Sequence, residues 1–240
     1  MSTPEHRQLA KAPIFQELST EYVEKLLAAS EIVDEPEGQL LFSQGGKPEA
    51  LHILFEGAVE LWGADRNGKQ TLVEVVHGVD SFILAAVVTD APYLMTARTM
   101  TRSRLLLIPA DFLRAELRRE PALAMMLLAA LSRHYRDLVR QVKDLKLRNS
   151  SERIGCFLIS LARKEKKSGR VVLPYSKRLL SDRLNMTPEN FSRAVTQLQT
   201  CGVRMKGMQV VIEDLDMLAR HCRLDPLLDP PGEVDRKARA

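Results

Sequence analysis

Glu189, Ser192 and Arg193 fall within one helical turn in the run Pro188-Glu189-Asn190-Phe191-Ser192-Arg193. On a helix this i, i+3, i+4 spacing puts all three on one face. Arg193 carries a planar fork of donors that matches the two acceptors of a guanine edge. Glu189 is an acceptor suited to a cytosine amine. Lys177 and Arg178, a few residues earlier, and Lys206, a few residues later, are cations suited to phosphates, which set register without reading sequence. The chemistry implied is recognition of duplex DNA from its major groove.

Such a face must be held by rigid elements, and the neighbouring residues supply them. Lys177 and Arg178 open a short helix whose apolar positions are Leu179, Leu180 and Leu184. Asn185-Met186-Thr187 breaks the pattern. Thr187 is placed to cap a second helix, with Pro188 at its first position, where a missing N–H costs nothing. Phe191, Ala194, Val195 and Leu198 form its buried stripe, and Gly202 its left-handed stop. Glu189, Asn190, Ser192 and Arg193 remain outward. Two helices joined by a tight turn, the second exposing polar residues from its start, is the layout of a helix-turn-helix.

The 240 residues suffice for one large or two ordinary domains. Charge is unevenly spread. Residues 1–146 carry 17 Lys and Arg against 20 Asp and Glu, whereas residues 147–224 carry 15 against 7. A basic segment joined to a slightly acidic one is the electrostatic footprint of a DNA-binding domain attached to something else. No apolar run approaches the length of a membrane span, and Met1 to Pro13 lacks a signal core, so a cytoplasmic location is expected. Cys156, Cys201 and Cys222 are odd in number and lack metal-type spacing, which predicts buried thiols. No Ser-His-Asp order, P-loop or metal-ligand cluster appears, so no enzymatic role is expected.

From the N-terminus, residues 14–33 give a short helical pattern through Phe15, Leu18, Tyr22, Leu26 and Leu27. From Gln39 to about Ile108 the period is two, with short runs separated by glycine-containing turns. Asn67-Gly68 between two such runs predicts a type I′ hairpin. Many short strands imply a small barrel or sandwich, able to hold one small ligand. Asp111 is placed to cap a helix over 112–120, and Pro121 opens a long one reaching about Arg148. Leu128, Leu131, Tyr135, Leu138, Val142 and Leu145 lie on it in a 3-4 alternation, a heptad seam that predicts a parallel homodimer. Asn149-Ser150-Ser151 is a break and cap. A helix over 153–162, a strand at 171–174, a wing hairpin turning at Gly207 and a helix opened by Asp214 complete the chain. The fold class is α+β. The expected organisation is a β-roll sensor domain over 1–120, a dimerisation helix over 121–148, a winged helix-turn-helix over 149–224 and a disordered tail over 225–240.

This order of elements resembles the CRP/FNR superfamily of bacterial transcription regulators over about residues 14–222, with a cyclic-nucleotide-binding-like jelly roll as the first domain. The E-x-x-S-R arrangement of Glu189, Ser192 and Arg193 looks like the FNR-type recognition helix. Pro188 stands where the cyclic-AMP branch has an additional arginine. The resemblance implies a palindrome of TTGAT-type half-sites read by a homodimer with Lys177, Arg178, Thr187, Glu189, Asn190, Ser192, Arg193 and Lys206 at the DNA. RNA polymerase is the implied protein partner.

Cyclic-nucleotide binding in this family needs a Gly-Glu pair and an Arg-Ser pair. The matching stretch, Gly78 to Val88 and Tyr93 to Ala97, lacks both the glutamate and the arginine, which argues against cyclic AMP. Three cysteines cannot hold a four-thiolate iron–sulfur cluster. What remains is an apolar pocket expected from Phe82, Ile83, Leu84, Val87, Leu128 and Leu131. The region is similar to the nitric-oxide-responsive DNR branch, which uses haem, with His52, His77 and His134 as candidate axial ligands. Two alternatives stay open: a sensing module acting through protein partners, and a regulator active without a bound ligand.

Overall fold

The computed structural model describes residues 18–165 and 169–229. The chain forms two compact units that divide inside the long helix, residues up to Tyr135 belonging to the first and those from Arg136 to the second. The break expected from the sequence, Asn149-Ser150-Ser151, follows the end of that helix at Leu147. The long helix is therefore shared between the units.

In the first unit, helix α1 (Thr20–Ala28) is capped by the Ser19 hydroxyl and leads into β1 (Glu31–Glu35). The strands β2 (Leu40–Phe42), β3 (Ala50–Glu56), β4 (Ala58–Ala64), β5 (Gln70–His77) and β6 (Asp80–Phe82) follow, then the short helix α2 (Leu84–Thr89) and the strands β7 (Thr96–Thr99) and β8 (Ser103–Pro109). They make two antiparallel four-stranded sheets, in the orders β1-β8-β3-β6 and β2-β7-β4-β5. Alternation along β3 and β8 sorts the core into two layers. Leu54 and Leu105 pack with Phe42, Val59, Leu61, Val76, Phe82, Tyr93 and Ala97, residues contributed by both sheets. Leu51, Ile53, Leu106 and Ile108 pack on the other side with α1, α2, α3 (Ala110–Leu117) and the start of α4 (Pro121–Leu147).

Three local expectations are corrected. Residues 31–33, read as helix, are strand β1 paired with β8; Phe15 lies outside the described residues. At Asn67-Gly68 only the glycine has positive φ, and Gly68 N–H donates to Asp65 O at 3.0 Å. This is a type I turn followed by a left-handed glycine, because Asp65 Oδ1 also accepts from the Asn67 and Lys69 amides and holds the wider loop. Helix α3 starts one residue earlier than its expected cap. Pro109 occupies the cap position without a side-chain bond, and Asp111 lies in the first turn.

Helix α4 carries two apolar stripes. Leu123, Met126, Leu127 and Ala130 are buried on the first unit, while Leu128, Leu131, Tyr135, Leu138, Val142 and Leu145 are exposed.

In the second unit, α5 (Ser150–Glu165) begins with a reciprocal cap: Glu152 N–H donates to Asn149 Oδ1 at 3.0 Å and Asn149 N–H to Glu152 Oε2 at 2.8 Å. Strand β9 (Arg170–Val172), the helices α6 (Lys177–Arg183) and α7 (Pro188–Leu198), a 3-10 turn (Gln199–Cys201), the hairpin β10 (Val203–Lys206) and β11 (Gln209–Ile212), and α8 (Leu215–Cys222) follow. The sheet order β10-β11-β9 ties the hairpin to a strand that precedes the two helices. Helices α7 and α8 pack on α5. All three cysteines are buried and free, as read from the sequence. The tail expectation is corrected in part: residues 225–229 form a hydrogen-bonded turn, with Asp225 O accepting from the Leu228 and Asp229 amides.

Candidate nucleic-acid interface

The Ser176 hydroxyl caps α6 by accepting from Leu179 N–H, and the Thr187 hydroxyl caps α7 by accepting from Asn190 N–H, both at 3.2 Å. Between them Asn185 turns the chain at φ 49, a left-handed conformation asparagine tolerates. Met186 is buried under the turn. Phe191, Ala194 and Leu198 anchor α7 to the core, which leaves Glu189, Asn190, Ser192, Arg193, Thr196 and Gln197 exposed. Gly202 ends the segment at φ 75.

Two concavities flank this face. One is lined by Lys177, Arg178, Pro188, Phe191, Ser192, Val195, Thr196 and Met205. The other is lined by Asn149, Ser150, Ser151, Asn190, Arg193, Ala194 and Gln197. The outward ridge of α7 thus stands between a basic groove shared with α6 and the wing, and a polar groove at the start of α5. A ridge of this kind can enter a major groove while its flanks meet phosphates.

Glu189 sits in the first turn of α7. Its own backbone amide and the Thr187 hydroxyl hold its carboxyl below the usual range, and the Arg193 charge acts in the same direction. It is an anionic acceptor at neutral pH, already turned toward the cap of its own helix.

The structure gathers Lys177, Arg178 and Ser192 at one groove and Asn190 and Arg193 at the other, with Thr187 as the cap. Lys206 is exposed on β10, but by strand alternation it projects with Arg204 on the face opposite Met205. Gln197, Thr196 and Met205 were missed. Spacing from Arg193 would have found Gln197, which lies four residues on along the same face.

The residues expected to line an effector pocket fall in different surroundings. Leu84 and Val87 are core residues packed with α1, β3, β8, α3 and α4; Phe82 belongs to the inter-sheet layer. Leu128 and Leu131 lie on the exposed stripe of α4, because that helix turns its other stripe to the first unit. Ile83, at φ 59, is a β-branched residue in left-handed conformation at the start of α2. The candidate haem ligands lie on β3, β5 and α4. His52 is packed edge-on against Phe42, beside Phe82, and burial lowers its pKa to about 4. His77 is buried at the end of β5. His134 places Nε2 3.3 Å from Asp80 Oδ1.

A two-sheet β unit, a long helix and a winged helix-turn-helix with a polar ridge define a DNA-binding transcription regulator. Residues 33–120 match the cyclic nucleotide-binding domain family and residues 152–221 the Crp-like helix-turn-helix domain family. The chain belongs to the CRP/FNR superfamily. It is 26% identical over 220 residues to a CRP-like cAMP-activated global transcriptional regulator of Mycobacterium tuberculosis, covering 90% of this chain and 98% of that one. A regulatory protein of Silicibacter pomeroyi DSS-3 is 29% identical with a TM-score of 0.58, covering 91% and 98% of the two chains. DNR from Pseudomonas aeruginosa is 28% identical with a TM-score of 0.51, covering 92% and 99%. Among the described residues no helix is long and apolar enough to cross a membrane, and no group of three or more His, Cys, Asp or Glu could hold a metal ion.

Proposed function

We propose that the chain works as a homodimer that reads a palindrome of TTGAT-type half-sites, one α7 in each. The observation that carries this reading is the exposed Glu189, Ser192 and Arg193 ridge between two grooves. Arg193 pairs with guanine and Glu189 accepts from cytosine, while Lys177 and Arg178 bind phosphate. The exposed heptad stripe of α4 supports the homodimer, since six apolar residues at seam spacing face away from the core. As a regulator of this family it is proposed to meet RNA polymerase beside its DNA site.

A small effector acting on the first unit is proposed to tune this activity. Between Gly78 and Ala97 there is no lysine or arginine, so a phosphate-bearing ligand would find no cationic partner within that stretch. An uncharged or apolar effector suits it better. The burial of Leu84 and Val87 in the core of the first unit supports a second reading in which the dimer binds DNA without a ligand.

Selection of binding sites from random duplex DNA by the purified protein tests the proposal. Enrichment of two inverted TTGAT-type half-sites is expected. Enrichment of unrelated sequence, or of a single half-site, would overturn it.

A further inference from the structure

The last described residues double back onto the junction between α4 and α5. Arg148 occupies that junction with its side chain only 7% exposed. Its Nη1 donates to Asp144 Oδ1, one turn back on α4, at 2.8 Å and to Asp229 Oδ1 at 3.0 Å; its Nη2 donates to Asp229 Oδ2. Asp229 is itself held, because its Oδ2 accepts from the Asp225 amide at 2.9 Å. Lys143 Nζ stands 3.9 Å from Asp225 Oδ2. Burial acts against the Arg148 charge, yet the Asp229 and Asp144 bonds keep the guanidinium firmly protonated.

The domain carrying α7 is therefore tied to α4 by more than the chain at Arg148-Asn149. A fork-to-fork ion pair reaches across from beyond α8, with the Lys143–Asp225 contact beside it. A single covalent joint permits rotation about its backbone torsions; a second, directional joint removes it. Two-pronged arginine–carboxylate pairs fix geometry as well as adding energy, and a buried pair adds little net stability over an apolar replacement, so its use here is sought in geometry. We propose that Arg148 and Asp229 form a clasp that sets the angle at which the reader domain leaves α4, and so make the dimer selective for the gap between half-sites. The consequence for DNA rests on the homodimer reading above; the clasp does not.

Two measurements test it. Spin labels at Gln141→Cys on α4 and Thr196→Cys on α7, diluted with unlabelled chain, report the angle within one protomer. The unchanged protein and Asp229→Glu should each give one narrow distance distribution, and Asp229→Ala a broad one. Asp144 remains as a partner for Arg148 in that variant, and Arg148→Lys, which keeps the charge but loses the fork, provides a second route to the same broadening. Palindromes differing by single base pairs in the gap then report selectivity. Asp229→Ala should reduce the advantage of the preferred gap by about tenfold, the scale of one charge-assisted pair. Narrow distributions in both Asp229→Ala and Arg148→Lys would overturn the clasp. If the unchanged protein showed no preferred palindrome while the distances behaved as stated, the homodimer reading would fall and the clasp would stand.

Discussion

The Thr187 hydroxyl accepts a hydrogen bond from the Asn190 amide at 3.2 Å, and that bond fixes where α7 begins. Replacing an N-cap threonine by alanine costs about 1 kcal/mol. Thr187→Ala should lower the unfolding free energy of the protein by that amount in urea denaturation followed by far-ultraviolet circular dichroism, and Thr187→Ser should leave it nearly unchanged. Equal stability of the alanine and serine variants would show that the start of α7 is held by something else.

Arg193 and Lys177 should fail differently. Arg193→Ala is expected to cost about 1–3 kcal/mol of specific binding and to relax preference at one base pair. Lys177→Ala should weaken binding to all sequences alike and lower the slope of log affinity against log salt by about 1. Binding titrations on the selected palindrome and on scrambled DNA at several salt concentrations separate the two.

The exposed stripe of α4 has Leu138 near its middle. Leu138→Glu should leave each protomer folded, since the side chain is exposed on its own chain, while placing two carboxylates in the proposed seam. Sedimentation should then show the single 27.0 kDa chain, whereas the unchanged protein is expected at twice that mass. Palindrome affinity should fall in parallel.

His52 supplies a pH dependence. Burial lowers its pKa from 6.5 to about 4 in the folded chain. The unfolded chain therefore binds the extra proton between those values. The stability contributed is complete above about pH 6.5 and is lost as pH falls toward 4, on the order of 3 kcal/mol in all. The fluorescence of Trp62, the chain's one tryptophan, reports unfolding of the first unit. His52→Leu should flatten the decline in stability between pH 7 and 4.5; an unchanged slope would assign the acid sensitivity elsewhere.

Gly155 tests the packing of the second unit. In an exposed helix, glycine to alanine stabilises by about 1 kcal/mol. Here a Cβ would run into Cys222 Sγ and come within 3.3 Å of Leu218 Cδ1. Gly155→Ala should destabilise by about 1–3 kcal/mol, and Cys222→Ala in the same chain should recover part of the loss, as measured by thermal unfolding.

How much of this was legible beforehand follows from the range of the interactions. Thr187, Pro188, the Phe191 to Leu198 stripe and Gly202 obey local rules, and α7 appears where they place it. The heptad on α4 is also a local pattern, and its exposure follows from the narrowness of the stripe. The polar groove was not legible, because Asn149 and Gln197 meet only through the packing of α7 on α5. The Asp225 to Asp229 turn looked unstructured because its partner, Arg148, lies 81 positions away. An effector pocket is not legible for a related reason: periodicity says that Leu84 and Val87 are apolar, not whether they line a space or fill one.

The wing hairpin is hydrogen-bonded to β9, whose residues precede both helices, and Leu173 N–H adds a bond to Met208 O at 2.8 Å beyond the ladder. A hairpin attached only at its own ends would have to be immobilised when it touched DNA, at an entropic cost charged against affinity. Held on its flank by β9, the wing is immobilised during folding instead. If Lys206 reaches a phosphate, it would do so as a preset stop, and a wing held in this way would not follow a displaced DNA backbone.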